Sequence, residues 1–350
     1  MIKITLRQRA FLIAAAVSLQ LAESFIPYFF PGARLGLANM IVLVCLNLYG
    51  IRVAGEVAFF RPIIGALFQG SFLSPTFFLS FAGSISGWLV MSVIFLFNRK
   101  WPIFSNSGIS IFGAIGNNFG QLFLAYFWII PTKNLLSLWP ILLLLALVSG
   151  LLNARITDYV RQRLGSIRLE ISGFADTEVA SLPIIFSDTF RILLGLLGLF
   201  FSLFCRNWLV YFILTAGLVL ATAIELRSFW PIIRHYWHLN FFLLFSFLMP
   251  LFSRWPFSVQ SLPLALLVIS RMFFLIALSF WVSQMGQKHL SWQINYFLGP
   301  LRIIPFLREV PELFSRSFSF VPAIWEKVAQ GRSRNPKKIV DLVLDLFNSL

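Results

Sequence analysis

Charged residues are scarce in this sequence. Asp, Glu, Lys and Arg make up 12% of the 350 residues, against about 25% in soluble domains. Hydrophobic residues make up 59%, and the mean hydropathy is +0.85. So few charges exclude an ordinary soluble globule. The composition therefore predicts an all-α, polytopic integral membrane protein.

Residues for several kinds of chemistry are also missing. No G-x-x-x-x-G-K-[ST] sequence occurs, so the chain lacks the loop that holds nucleotide phosphates in P-loop ATPases. The two cysteines, Cys45 and Cys205, lie in separate apolar runs and predict neither a disulfide framework nor a metal site. His235 and His238 form an H-x-x-H pair that no nearby third ligand completes, so we expect no metal.

Basic residues outnumber acidic ones by 28 to 13, and their positions indicate a membrane topology. In the first half they fall mostly at alternate ends of the apolar runs, as the positive-inside rule requires. We therefore expect both ends of the first half, and the tail after residue 284, to lie in the cytoplasm. The basic residues do not alternate with aromatic residues on a soluble domain, so we expect no nucleic-acid partner.

Apolar runs divide the chain into two membrane modules. Six runs, near 10–30, 35–50, 53–70, 75–97, 107–130 and 136–154, are about as long as a hydrocarbon core of ~30 Å requires. About four more follow, near 181–204, 207–225, 237–252 and 259–283. The predicted organisation is a six-helix bundle at 1–156, a cytoplasmic linker at 157–178, a second membrane module at 179–284 and a cytoplasmic region at 285–350.

Three amides lie within five residues of the fifth run, in GAIGNNFGQL (113–122). Asn117 and Gln121 are four residues apart, and Asn118 and Gln121 are three apart, so on a helix they form one polar stripe. Such a stripe has two interpretations. It holds two membrane helices together by hydrogen bonds, or it binds a ligand in a central pocket with other polar residues at membrane depth.

Further polar residues at membrane depth favour the pocket. Glu23 lies in the first run, Arg34 and Asn39 lie in PGARLGLAN (31–39), Arg61 lies in the third run, and Ser74 lies between the third and fourth runs. We predict that Arg34, Asn39, Arg61 and Ser74 converge with the amide stripe on one outward-opening cavity for a small molecule. Arg34 and Arg61 would suit an anionic group on that molecule.

Three motifs occur in order over residues 9–156: PGARLGLAN, GSFLSPTFFLSFAG and GAIGNNFGQL. With these three motifs the chain resembles the family named heptaprenyl diphosphate synthase component I, which is also called the Gx transporter family. That family is similar to the substrate-binding S components of energy-coupling factor (ECF) transporters. The resemblance implies that residues 1–156 form an S-component-like, substrate-binding bundle of six helices.

The second half resembles another group of proteins. ELFSRSFSFVPAIWEKVAQGRSRNP (312–336) is similar to the cytoplasmic coupling region of ECF T components, and SDTFRILL (187–194) is similar to their start. This resemblance implies a T-component-like module of about four spans, whose coupling helices contact ATPase subunits through Arg316, Arg332 and Ser333. Alternatively, Arg332 and the basic residues after it bind the inner leaflet.

Two functions follow as expectations. In the first, the chain is the membrane component of an ECF-type importer in a bacterial plasma membrane, surrounded by membrane lipid. It binds a small molecule, is not an enzyme and carries no cofactor, while ATP binds to separate ATP-binding subunits. In the second, it is a membrane accessory subunit of polyprenyl (heptaprenyl) diphosphate synthesis. The chain has no two adjacent acidic residues, so it lacks the aspartate-rich clusters that hold magnesium diphosphate, and catalysis would need a partner.

Overall fold

The computed structural model of the chain describes residues 4–24, 36–164, 186–238, 240–251, 261–304 and 307–330. These residues are almost entirely helical, and no β-strand occurs among them, which confirms the all-α prediction. Their α-helices are α1 Leu6–Glu23, α2 Leu37–Leu48, α3 Ile51–Gln69, α4 Pro75–Lys100, α5 Asn106–Leu124, α6 Trp139–Leu164, α7 Phe186–Phe204, α8 Trp208–Leu226, α9 Trp230–His238, α10 Asn240–Leu251, α11 Leu262–Ser283, α12 Gln287–Leu298 and α13 Val310–Gln330. A π-helix, Ala125–Ile129, extends α5, and 3-10 helices occupy Lys133–Leu138 and Gly299–Ile303.

Six α-helices, α1 to α6, lie close to the six apolar runs of the first half. Across the described residues, however, four helical segments are long and apolar enough to span a membrane: Pro75–Lys100, Lys133–Tyr159, Trp208–Leu226 and Leu262–Ser283. These four indicate a membrane protein. The 12 residues of α2 are too few, since they rise only about 18 Å. The arrangement of six plus four spans therefore remains a prediction.

The last helix of the first half, α6, ends later than the sequence predicted. The linker was predicted to begin at 157, whereas α6 continues to Leu164. Thr157 is fully buried, so this part of the helix still packs against the bundle. The polar composition of TDYVRQRL marks the end of the apolar run rather than the end of the helix.

Helix α1 lies in the centre of the molecule. Its residues from Ala10 to Val17 are at most 3% exposed, because α1 packs against α2, α3 and α13. Thr5 begins the helix with a capping box, in which its hydroxyl accepts from the Gln8 N–H and the Gln8 side chain accepts from the Thr5 N–H. The segment from Ala10 to Val17 is apolar all round, and such a segment is expected to be buried in this way.

Helix α13 of the tail packs against the first half through aromatic rings. Ring centres lie 6.5 Å apart between Phe11 of α1 and Phe320, and 4.7 Å apart between Phe68 of α3 and Phe318. A third pair joins Phe60 of α3 to Phe314 at 6.1 Å. The tail helix is therefore part of the same packed unit as α1 and α3.

Helices α4 and α5 approach each other closely because glycines line their interface. A Cβ at Gly116 of α5 would come within 3.1 Å of the Ser86 carbonyl oxygen, and a Cβ at Gly120 would come within 2.7 Å of the Ala82 carbonyl oxygen. Small residues of this kind let membrane helices pack backbone against backbone. The interface also holds Asn117 and Gln121 of α5 against Gly83 of α4.

Helix α11 runs across one end of the first-half bundle. Its Ser283 hydroxyl donates to the Gly70 carbonyl at 2.9 Å, and its Ser279 hydroxyl donates to the Phe72 carbonyl at 2.7 Å, at the end of α3. Arg271 lies twelve residues before Ser283, which is about 18 Å along the helix axis. It donates to the carbonyl of Trp128, in the π-helix that follows α5. Because α11 crosses this end, it does not run side by side with α3 and α5. Counting apolar runs could not reveal this arrangement.

Candidate functional site

A buried arginine occupies the middle of the first-half bundle. Arg61 of α3 is 5% exposed and donates from Nη1 to Asn39 Oδ1 of α2 at 2.8 Å and from Nη2 to Ser84 Oγ of α4 at 2.9 Å. The Ser84 hydroxyl donates in turn to the Ala58 carbonyl at 2.7 Å. These bonds fix the plane of the guanidinium. A cation this deep in an apolar bundle is costly and typical of a functional site.

Gly36 connects Arg61 and its hydrogen-bond partners to two more helices, α1 and α6. Its N–H donates to the carboxylate of Glu23 at the end of α1, and its carbonyl accepts from Asn153 Nδ2 of α6 at 3.0 Å. The φ of Gly36 is +70°, and a Cβ there would lie 3.3 Å from Asn39 Nδ2, so a residue without a side chain fits best. We call Glu23, Asn39, Arg61, Ser84 and Asn153 the polar core; α1, α2, α3, α4 and α6 each contribute one of these residues.

The amide stripe divides between two neighbours. Asn117 and Gln121 lie against Gly83 of α4, where a Cβ would come within 2.6 Å of Asn117 Oδ1 and 2.8 Å of Gln121 Nε2. Asn118 instead donates to the Leu142 carbonyl of α6 at 2.8 Å. Asn117 and Asn118 thus contact different helices, as the helix-packing interpretation requires. Asn117 and Gln121 therefore contact α4, the helix that also carries Ser84 of the polar core.

Beside the stripe lies a small cavity of about 70 Å³. Asn118 and Gln121 are its two polar lining residues, and the others are Leu79, Leu122, Ala125, Ile129, Ile130, Leu135, Leu138, Leu142 and Phe245. The cavity is therefore largely apolar. Phe245 belongs to α10, so both halves of the chain form its wall.

The structure places the remaining predicted residues as follows. Ser74 caps α4, accepting from the Phe77 N–H at 3.2 Å, and does not contact Arg61. Arg316 pairs with Glu312 on α13 at 2.8 Å. Arg34, Arg332 and Ser333 lie outside the described residues.

The site residues predicted from the sequence included neither Asn153 nor Ser84. The signal for Asn153 was available, because it is an amide at the end of the apolar run of α6, in LVSGLLNARI. Asn153 is 3% exposed, and its bond to the Gly36 carbonyl makes it part of the polar core.

A charge cluster joins the first half to the tail. Arg9 of α1 pairs with Glu56 of α3 at 2.8 Å and with Glu309 in the turn before α13, and Arg52 lies 3.3 Å from Glu56. The hydrogen bond from Arg9 lowers the pKa of the Glu309 carboxyl, and the positive charges of Arg9 and Arg52 add to the effect. Glu309 is therefore ionised at neutral pH.

The end of α12 presents an exposed concave surface, which we call the α12 notch. Its cavity of about 550 Å³ is lined by Trp292, Asn295, Tyr296, Phe297, Gly299, Pro300 and Arg302. Tyr296 is 54% exposed, and Ile303 just beyond is 85% exposed. Exposed aromatic and aliphatic side chains beside an arginine are typical of a protein-binding surface.

Among the described residues no three His, Cys, Asp or Glu side chains come together as metal ligands. The ring of His235 packs instead against Phe280 of α11, with ring centres 4.8 Å apart.

Comparison with known proteins gives one match. Residues 12–160 match the model of a family described as heptaprenyl diphosphate synthase component I. This match covers most of α1, all of α2 to α5 and most of α6. That is less than half of the chain, but it contains all five residues of the polar core. No curated protein and no solved structure matches the chain significantly.

Proposed function

We propose that this chain is a non-catalytic membrane subunit that binds a small molecule in its first half and a separate soluble protein through its tail. The observation that carries the proposal is the position of α3. This helix holds Arg61 in the polar core, and one residue earlier it packs Phe60 against Phe314 of α13. A partner that moves α13 would therefore also move the arginine that faces the ligand.

Burial supports a ligand at the polar core. Glu23, Arg61 and Asn153 are each at most 5% exposed, although ionisable and amide groups are expensive inside a membrane bundle. Such groups are kept where they serve binding or transport. Arg61 supplies only donors, so it suits a carboxylate or phosphate oxygen on the ligand.

The α12 notch supports a soluble partner. It lies at the end of α12, in the region after residue 284 that the charge distribution predicts to be cytoplasmic. Tyr296, Phe297 and Arg302 belong to residue types that carry most of the binding energy in protein interfaces. Arg302 would pair with a carboxylate of the partner.

Two versions of this function differ in the partner. The family description of residues 12–160 favours an accessory role beside a soluble polyprenyl diphosphate synthase. That synthase would supply the aspartate-rich magnesium site, because this chain has no two adjacent acidic residues. The first half would then hold or present a prenyl substrate or product.

The second version is an ECF-type importer, in which ATP-binding subunits dock on the tail. The packing of α13 against α1 and α3 favours the importer. A partner that moves α13 would displace α3, which carries Arg61 of the polar core. The chain would contribute the binding site and the mechanical link, and ATP would bind to the partner subunits.

The partner itself distinguishes the versions. The full chain carrying an affinity tag would be purified in mild detergent from membranes of its own organism, and the co-purifying proteins identified by mass spectrometry. A prenyl synthase supports the accessory role, and ATP-binding subunits support the importer. Recovery of the chain with neither protein, under conditions that preserve other membrane complexes, would refute the proposed function.

A matched pair of variants links that partner to the α12 notch. Tyr296→Ala should reduce recovery of the co-purifying protein, whereas Tyr159→Ala, an exposed tyrosine of α6, should not. Equal recovery with both variants would place the partner elsewhere on the chain.

A further inference from the structure

One face of α6 carries two buried polar side chains. Asn153 is 3% exposed and Thr157, one turn later, is fully buried. The outer face of the same helix is exposed and apolar, with Leu144, Leu151 and Leu152 among its residues. Helix α6 therefore brings an amide and a hydroxyl into a bundle interior.

Each of these side chains has a buried atom without a hydrogen-bond partner. Asn153 Nδ2 donates to the Gly36 carbonyl, which fixes the orientation of the amide, since a flipped amide would set two oxygens against each other. Asn153 Oδ1 is left without a donor, and Thr157 Oγ1 has no partner either. Buried polar atoms in native proteins are nearly always paired, so each exception needs an explanation.

Helix packing alone does not explain Thr157. A threonine in a helix usually donates to the carbonyl four residues earlier, and α8 shows this twice: Thr215 donates to Tyr211 at 2.7 Å and Thr222 donates to Leu218 at 2.6 Å. Thr157 makes no such bond, although Asn153 occupies the corresponding position. Its hydroxyl is therefore left for another partner.

We infer that Asn153 and Thr157 bind the ligand of the polar core and that this ligand is a small acid carrying at least one N–H or O–H donor. The inference rests on the proposed function for the existence of a ligand. Asn153 Oδ1 only accepts and Arg61 only donates, so together they select a molecule with both a donor and an anionic group. A prenyl diphosphate offers oxygen acceptors and a hydrocarbon chain, and it does not satisfy Asn153.

Matched acids that differ by one donor test the inference. Lactate and alanine would be compared with propionate, and malate with succinate, by thermal unfolding of the purified full chain in detergent; farnesyl diphosphate would represent prenyl compounds. At least one donor-bearing acid should stabilise the wild type more than its donor-free partner. Its affinity should fall about tenfold or more in Asn153→Leu and Thr157→Val, since a site built to bond a donor rejects the analogue lacking it.

Ser149 provides a matched control on the same helix. Its hydroxyl already donates to the Ala146 carbonyl, so Ser149→Ala should leave the preference for donors unchanged. Thr157→Val keeps the shape of the side chain and guards against a folding defect in Asn153→Leu.

Three results would overturn the inference. They are stabilisation by donor-free acids or farnesyl diphosphate alone, equal responses in wild type and both variants, and no response to any acid. A Thr157→Val protein that melts at a higher temperature but responds to ligands like the wild type also counts against the inference. It would mean that an ordered water, and not a ligand, bonds the Thr157 hydroxyl. Recovery of the soluble partner is a separate readout that neither variant should change, so loss of the proposed function and loss of this inference are distinguishable.

Discussion

The guanidinium carbon of Arg271 in α11 lies 5.7 Å from the centre of the Tyr211 ring in α8. Arg271 also donates to the Trp128 carbonyl of the first half and, at 3.3 Å, to the Cys205 carbonyl just after α7. Both carbonyls lie at helix C-terminal ends, where the macrodipole favours a cation. A buried arginine without a carboxylate partner is thus held by backbone oxygens, and it ties α11 to both halves.

Arg271→Lys should therefore weaken the connection between the halves. A lysine cannot reproduce the planar fork of donors, and a buried carbonyl left without its donor costs about 1–3 kcal/mol. We expect a lower melting temperature for the purified chain in detergent, whereas Arg234→Lys, at an exposed position of α9, should melt like the wild type. Equal melting of both variants and the wild type would contradict the role of Arg271.

Acid should weaken the charge cluster between α1 and the tail. Arg9 lowers the pKa of Glu309 in the folded protein, below the value of about 4.3 in an unfolded chain. The carboxylate therefore stabilises the fold at pH values above the unfolded pKa, and this contribution is lost as the pH falls through the folded pKa. Glu56 and Arg52 face the same cluster and remain in place in the variant described next.

Glu309→Gln should melt at a lower temperature than the wild type at pH 7, and the difference should shrink below about pH 4, where the wild-type carboxyl becomes protonated. The expected difference is small because Glu309 is about half exposed. Glu312→Gln, which removes a carboxylate from an exposed pair within α13, serves as the matched control variant. A difference that stays constant from pH 7 to 3.5 would rule out the ion pair as its cause.

Local patterns in the sequence predicted the helices but not how they pack. The apolar runs located α1 to α6, because hydropathy follows burial in lipid or in a bundle. Asn39 and Arg61 were predicted as site residues, and they are hydrogen-bonded to each other. The crossing of α11 and the packing of Phe320 on Phe11 depend on contacts between residues more than 120 positions apart, which no local pattern encodes. The hydrogen bond from Asn153 to Gly36, the residue before α2, also joins residues far apart in the sequence.

Gly36 should not tolerate a side chain. Its φ of +70° costs an L-residue roughly 1–2 kcal/mol, and the added Cβ would press on the Asn39 amide. Gly36→Ala should therefore lower the melting temperature and weaken ligand binding at the polar core. Gly217→Ala is the matched control: no atom lies within 4 Å of its added Cβ, and alanine in a helix interior stabilises by about 0.5–1 kcal/mol. A Gly36→Ala protein as stable as Gly217→Ala would show that Gly36 is not held in this conformation.

Two arginines of the tail are proposed to contact the soluble partner, and charge reversal separates their roles. Arg302 lines the α12 notch and is exposed, while Arg332, outside the described residues, was predicted from the sequence to contact ATPase subunits. Reversing a charge that pairs with a buried carboxylate of a partner typically costs about 2–5 kcal/mol, which is enough to lose the complex during purification. We expect Arg302→Glu and Arg332→Glu each to reduce co-purification of the soluble partner, while small-molecule stabilisation of the first half persists.

Arg234→Glu controls for the loss of positive charge at the membrane surface, because Arg234 is exposed on α9 and not part of the notch. If Arg302→Glu alone loses the partner, the notch is the contact and Arg332 serves as a basic anchor on the inner leaflet. If all three variants lose it equally, the effect is a general one of surface charge, and neither arginine contacts the partner. Full recovery of the partner with both tail variants would remove the tail from the proposed interface, because a like charge set against the partner's carboxylate could not leave binding unchanged.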